Sequence, residues 1–134
     1  MIILSSSDVE IIKESFIQLS KDSKNVFDHF YENFFSLDSS ARTLFKEVDL
    51  TKQKKMLFES LSYFVISNEI TDSDLLEYSV SLKEKHQSVN MTKSQIDNFG
   101  KALLKTIKES QGESFTFEKE QIWSKLINQI LTTF

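Results

Sequence analysis

The sequence predicts an all-α fold, and three features support that prediction. Proline is absent and glycine occurs only twice in 134 residues, so the residues that interrupt helices and form tight hairpins are nearly missing. Phenylalanine occurs 12 times, against three tyrosines and one tryptophan, which suits the wide apolar faces of packed helices. Apolar residues also recur at helical spacing along most of the chain.

Length and composition exclude several classes of protein. A chain of 134 residues is typical of one domain, here residues 1–134, and its net charge of −4 argues against nucleic acid as the main partner. No apolar run approaches the roughly 20 residues that cross a bilayer, and the first residues lack a secretory signal, so we expect no membrane partner and a cytoplasmic location. Cysteine is absent, which excludes disulfides and thiolate-bound metals.

The first helix has a clear beginning. Ser5 is a good N-cap with Asp8 three residues later, and Leu4 can pack against Val9 across the cap. The apolar stripe of this helix then comprises Val9, Ile12, Phe16 and Leu19.

A second helix is predicted after residues 21–24, and the segment 37–40 predicts its end. Its broad apolar stripe comprises Val26, Phe27, Phe30, Tyr31, Phe34 and Phe35. A short turn after the break brings in Leu44 and Phe45.

Residues 49–51 precede the next predicted helix, which carries Gln53, Leu57, Leu61 and Phe64 on one face. A polar segment, 68–74, separates it from another stripe at helical spacing. That stripe comprises Leu75, Leu76, Ser79, Leu82 and His86.

The C-terminal third contains the best helix cap of the sequence. Thr92 and Gln95 form a capping box, and Met91 can pack against Ile96. The apolar stripe of this helix comprises Phe99, Leu103, Leu104 and Ile107. The helix is followed by a loop around Gly112. The last helix follows Thr116, with a stripe of Ile122, Trp123, Leu126, Ile127 and Ile130.

The usual motifs of enzymes are missing: no phosphate-binding glycine loop, dinucleotide fingerprint or His-x-x-x-His pair occurs. Of the two histidines, His86 is either a helix-end residue favoured by the helix dipole or an imidazole that ligates a metal. We expect His29 to be peripheral, because it cannot share the helix face of Tyr31. Taken singly, Tyr31 could be ordinary core and Gln53 an ordinary solvated residue.

The joint arrangement of these residues resembles the globin family. The segments concerned are Phe-Tyr-Glu-Asn-Phe-Phe at 30–35, Leu-Phe at 44–45, Gln-Lys-Lys-Met-Leu-Phe at 53–58 and Lys-His at 85–86. The likeness is to single-domain bacterial haemoglobins and the haem domain of flavohaemoglobins, and it extends to Trp123 early in the last helix. It implies a three-over-three helical sandwich with haem b between the helix bearing Gln53 and the helix ending at His86.

The resemblance also implies a role for individual residues. His86 would be the proximal ligand of the iron. Tyr31 and Gln53 would be the distal residues, since a hydroxyl and an amide can both donate to partly negative dioxygen. The residues that would contact the haem ring are Phe45, Leu57, Leu82 and Phe99.

Three departures from flavohaemoglobins qualify the resemblance. Ile96 stands where those proteins carry a tyrosine tied to the proximal histidine, and the chain ends at Phe134 before the acid of the same network. The stretch from Phe45 to Gln53 is two residues shorter, and Gln53 rather than Lys52 is taken as the distal residue. No flavin or nicotinamide domain fits in this length, so a redox cycle would need an external reductase.

These features predict a globin that binds dioxygen reversibly for storage, delivery or supply, and that also binds carbon monoxide and nitric oxide. The alternative is an enzyme, a nitric oxide dioxygenase that depends on a separate reductase. A gas sensor and a haem-free regulatory globin are further alternatives. Both a monomer and a homodimer are compatible with the sequence.

Overall fold

The computed structural model describes residues 4–66 and 91–131, and these ranges are helical without any strand. The six α-helices are α1 (Ser6–Ser20), α2 (Ser23–Leu37), α3 (Ser39–Leu44), α4 (Leu50–Ile66), α5 (Lys93–Gln111) and α6 (Phe117–Leu131). A 3-10 turn at Gly112–Ser114 joins α5 to α6. The all-α prediction is confirmed for the described residues. The predicted stripe from Leu75 to His86 lies outside them.

The two predicted helix caps are confirmed. The Ser5 hydroxyl accepts a hydrogen bond from the backbone N–H of Asp8 at 3.0 Å and so caps α1. At the start of α5, the Thr92 hydroxyl accepts from the N–H of Gln95 at 3.2 Å, and the Thr92 N–H donates to the Gln95 side chain at 2.8 Å. Each cap satisfies backbone donors that the first turn of a helix leaves without partners.

The predicted break between the second helix and the following turn occurs at Asp38. Its carboxylate accepts from the N–H of Ser40 at 3.1 Å and caps α3, which makes the predicted turn a helix of six residues. Asn98 on α5 donates to the same carboxylate at 3.1 Å. The hydrogen bonds from Ser40 and Asn98 lower the pKa of Asp38 below its ordinary value.

The helix that carries Gln53 begins two residues earlier than predicted. The Asp49 carboxylate accepts from the N–H groups of Thr51 at 3.0 Å and Lys52 at 3.3 Å, so α4 starts at Leu50. Residues 50 and 51, which were expected to precede the helix, form its first turn.

The core lies where α2 packs against α5 and α5 packs against α6, while α1 contacts α4 and α6. Every predicted stripe residue of the last helix is buried. The largest side chains with almost no exposed surface are Trp123, Phe30, Phe34, Phe64, Ile12, Leu19, Leu61, Leu103, Ile107 and Ile130.

A buried polar network joins three helices inside this apolar core. The Trp123 Nε1–H of α6 donates to the Ser15 hydroxyl of α1 at 2.9 Å. That hydroxyl donates to the Gln111 Oε1 of α5 at 2.8 Å, and the Gln111 Nε2 donates back to the Ser15 carbonyl at 2.8 Å. Because all the polar groups of this network are paired, it costs little desolvation energy and fixes the relative positions of the three helices.

The two glycines serve different purposes. A Cβ atom at Gly100 would lie 2.8 Å from the Leu131 Cδ1, so glycine allows α6 to approach α5 closely at this point. Gly112 has a φ of +55°, a backbone conformation that glycine adopts without strain, and it ends α5.

No helix within 4–66 and 91–131 has the length and apolar character that a bilayer span requires.

Candidate functional site

Six aromatic rings from α2, the end of α3 and α5 form one contiguous group, called here the aromatic cluster: Phe30, Tyr31, Phe34, Phe35, Phe45 and Phe99. The centroids of Tyr31 and Phe45 are 6.1 Å apart, and those of Phe34 and Phe99 are 5.4 Å apart in an edge-to-face arrangement. The ring centroid of Phe30 lies 4.8 Å from that of Tyr31 and 4.9 Å from that of Phe99, so Phe30 connects the two rings. Three of the predicted site residues, Tyr31, Phe45 and Phe99, therefore lie in one buried cluster.

Tyr31 is the polar member of this cluster, and it is only 4% exposed. Burial raises the pKa of its hydroxyl above the ordinary value, so the proton stays on Oη at neutral pH. No hydrogen bond joins that hydroxyl to any residue within 4–66 or 91–131. Buried hydroxyls normally have a partner, so this one is a donor available to a group other than the described side chains.

Gln53 and Leu57 lie one turn apart on α4. Leu57 is buried, whereas Gln53 is half-buried and its side-chain amide bonds to no residue in the described ranges. The helices α2 and α4 are in contact, and the Lys54 ammonium lies 2.7 Å from the Asp28 carboxylate. Because Lys54 follows Gln53 and Asp28 precedes Tyr31 by one helical turn, the pair brings the two candidate distal residues onto neighbouring helix segments.

The predicted proximal residues His86 and Leu82 lie outside the described residues, and their roles stay predictions. The other histidine is peripheral, as predicted, since the His29 side chain is 44% exposed. Its two ring nitrogens lie 3.5 Å from Glu32 and 3.3 Å from Glu109. Ile96, which the resemblance places where flavohaemoglobins carry a tyrosine, is half-buried on α5.

The described side of the site fits the flat apolar cofactor that the resemblance implies. Phe45, Phe99 and Leu57 are all buried apolar side chains of the kind that cover a porphyrin ring. The Tyr31 hydroxyl, which bonds to none of the described residues, supplies a donor within this apolar surrounding, which is what a polar diatomic ligand on such a cofactor needs.

Two features that support the site were not predicted. Phe30 and Phe34 were assigned only to the apolar stripe, although they connect Tyr31 and Phe45 to Phe99. The Asp28–Lys54 ion pair was also missed. The i, i+4 spacing of Lys24 and Asp28 on α2 indicates that Asp28 can form an ion pair. Its partner on α4, Lys54, depends on how the helices pack and is not visible in the sequence.

Comparison with known proteins assigns the chain to a family. The model of the family described as "Globin" matches residues 28–134. A curated relative is the flavohemoprotein of Oceanobacillus iheyensis, which is 27% identical over 126 residues, covering 92% of this chain and 31% of the relative. The chain thus spans about a third of that protein's length. Since the family model covers most of the sequence, the predicted globin fold is confirmed, and the chain belongs to the globin family.

Proposed function

We propose that residues 1–134 form one haem-binding globin domain that binds dioxygen reversibly. Membership of the globin family and similarity to a flavohemoprotein support haem binding and gas binding in general. The observation that carries the choice of dioxygen is the Tyr31 hydroxyl, which is buried, protonated and without a partner among the described residues.

Haem b, when bound, would supply an iron that coordinates diatomic gases reversibly. The residues proposed to hold it are His86 on the proximal side and Phe45, Leu57, Leu82 and Phe99 around the ring. The buried apolar side chains among them would exclude water from the cleft, which strengthens any hydrogen bond made inside it.

Tyr31 would give the cleft its preference among gases. Its Oη–H can donate to dioxygen, which carries partial negative charge as a ligand, whereas carbon monoxide gains less from the same donor. The half-buried amide of Gln53 would be a second donor, reaching the cleft from α4. Two donors toward one partly charged atom favour retention of dioxygen.

Cycles of oxygenation test this function directly. The ferrous protein should change its visible spectrum when exposed to dioxygen and return to the ferrous spectrum under vacuum, over several cycles. Rapid one-way conversion to the ferric form, or no spectral change with dioxygen, would contradict reversible binding.

A second candidate is nitric oxide dioxygenation, in which dioxygen, nitric oxide and one electron combine to give nitrate. The observation that favours it is the similarity to a flavohemoprotein, which this chain matches over 31% of that relative's length. Mixing the oxygenated protein with nitric oxide tests this candidate. Stoichiometric nitrate supports it, and absence of nitrate removes it.

A further inference from the structure

A groove of about 530 Å³ lies between the beginning of α2 and the first two turns of α4. Its size is within the range of sites for small molecules in proteins. The groove is defined by two phenylalanines, Phe27 and Phe58, and by four charged residues, Lys24, Asp28, Lys54 and Lys55. None of the proposed functions assigns it a role.

The floor of the groove is aromatic. The rings of Phe27 and Phe58 meet edge to face with centroids 6.0 Å apart, and Phe58 also stacks on Phe16 at 5.6 Å. Phe27 is almost fully buried, so its ring is held in place by the core. Phe58 is only partly buried and so presents most of the aromatic surface that is open to a flat apolar group, while Phe27 lines the groove with the small part of its ring that the core leaves exposed.

The rim of the groove carries an excess of positive charge. The Lys54 Nζ lies 2.7 Å from the Asp28 carboxylate. The Lys24 Nζ lies 4.0 Å from the same carboxylate, and the Lys24 side chain is 87% exposed. Lys55 has no ion-pair partner within 4–66 and 91–131. The lining of the groove thus includes three lysines and one carboxylate, in a chain whose net charge is −4.

An aromatic floor below a cationic rim is complementary to a small amphipathic anion. We propose that this groove binds an aryl carboxylate, with its ring against Phe27 and Phe58 and its carboxylate against Lys24 and Lys55. Lys54 at 2.7 Å and the exposed Lys24 at 4.0 Å share the single Asp28 carboxylate, so the lysines of the rim keep an excess of positive charge. The inference does not rest on the proposed haem function.

The test uses the purified protein, and any haem that it contains is reduced and saturated with carbon monoxide so that a carboxylate cannot bind the iron. Titration of the nitrogen-15-labelled protein with 2-naphthoate, followed by two-dimensional amide spectra, should give saturable shifts at Ser23, Lys24, Thr51 and Lys55. The uncharged 2-naphthamide should bind at least several-fold more weakly. The readout is the amides of the groove and not the haem spectrum, so failure here and failure of haem binding are distinguishable.

Variants locate the site. Lys55→Gln should weaken 2-naphthoate binding by about two- to fivefold, as expected for an exposed charge pair. Lys52→Gln removes the same charge from the same helix outside the groove and should leave the affinity unchanged. Thr51→Trp should fill the groove and abolish binding.

Four results would overturn the proposal. The first is the lack of saturable shifts at the groove amides, and the second is equal binding of the carboxylate and the amide. The third is an equal effect of Lys52→Gln and Lys55→Gln. Shifts confined to the aromatic cluster would also contradict it, because they would place the ligand in another part of the molecule.

Discussion

Tyr31 combines deep burial with a hydroxyl that bonds to no described residue. Its position in the apolar stripe of the second helix was predicted from spacing, and its role came from the resemblance to globins. The missing partner could not be predicted, because it depends on which side chains of other helices approach the hydroxyl. This buried donor is the feature of the described residues that best connects the fold with gas binding.

Substitution of this residue tests its role in gas binding. Tyr31→Phe keeps the ring packing but removes the donor, so dioxygen release should accelerate about tenfold, which corresponds to about 1.4 kcal/mol of hydrogen bond. Stopped-flow displacement of dioxygen by carbon monoxide measures this rate. Carbon monoxide release from the same variant is the internal control and should change less. An unchanged dioxygen release rate would mean that the hydroxyl does not reach the ligand.

The pKa of Tyr31 gives a second prediction at the same scale. Burial raises this pKa above its ordinary value of about 10, so the proton is retained in the folded protein and released more readily after unfolding. The free energy of unfolding is therefore unaffected by Tyr31 ionisation below about pH 10, and it decreases as the pH rises further. In an alkaline titration followed by tyrosinate absorbance, Tyr31→Phe should remove only amplitude that develops well above pH 10. Loss of amplitude near pH 10 would show that Tyr31 is accessible to water.

At the scale of helices, local features were predicted well and contacts between helices were not. The Ser5 cap, the Thr92–Gln95 capping box and the end of α5 at Gly112 depend on neighbours within four residues, and each was read from the sequence. The Ser15–Gln111–Trp123 network joins residues about 100 positions apart. No local pattern indicates such a partner, and the same holds for Asp28 and Lys54.

The buried network should contribute measurably to stability. Ser15→Ala removes the acceptor of the Trp123 Nε1–H and the donor to Gln111, leaving both groups buried without those bonds. We expect the free energy of unfolding to fall by about 1–3 kcal/mol, measured by urea unfolding of matched carbon monoxide complexes. Ser7→Ala, an exposed change on the same helix, should have little effect. Equal stability of the two variants would mean that the network is energetically neutral.

At the scale of the whole molecule, the aromatic cluster and Leu57 belong to one hydrophobic core, and α2, which carries Tyr31, contacts α4, which carries Gln53. The fold class and five of the predicted site residues could be found in the described part of the chain. His86 and Leu82 could not, since they lie outside it. The proximal half of the site therefore rests on the sequence pattern and the globin resemblance.

Histidine substitutions test that proximal half. His86→Ala should abolish stable haem retention, because the iron loses its only proposed protein ligand on the proximal side. His29→Ala should retain haem, since this side chain is exposed and interacts with surface carboxylates. The measurement is the haem content after gel filtration of both variants. Retention by His86→Ala and loss by His29→Ala would reverse the assignment.

The central claim is that this chain encloses a haem. Titration of the purified protein with hemin, followed by reduction and addition of carbon monoxide, tests it most directly. We predict a saturable Soret band that reaches its endpoint at one haem per chain and shifts when carbon monoxide is added. A protein that shows no Soret band beyond that of free hemin, or no shift with carbon monoxide, would contradict the account.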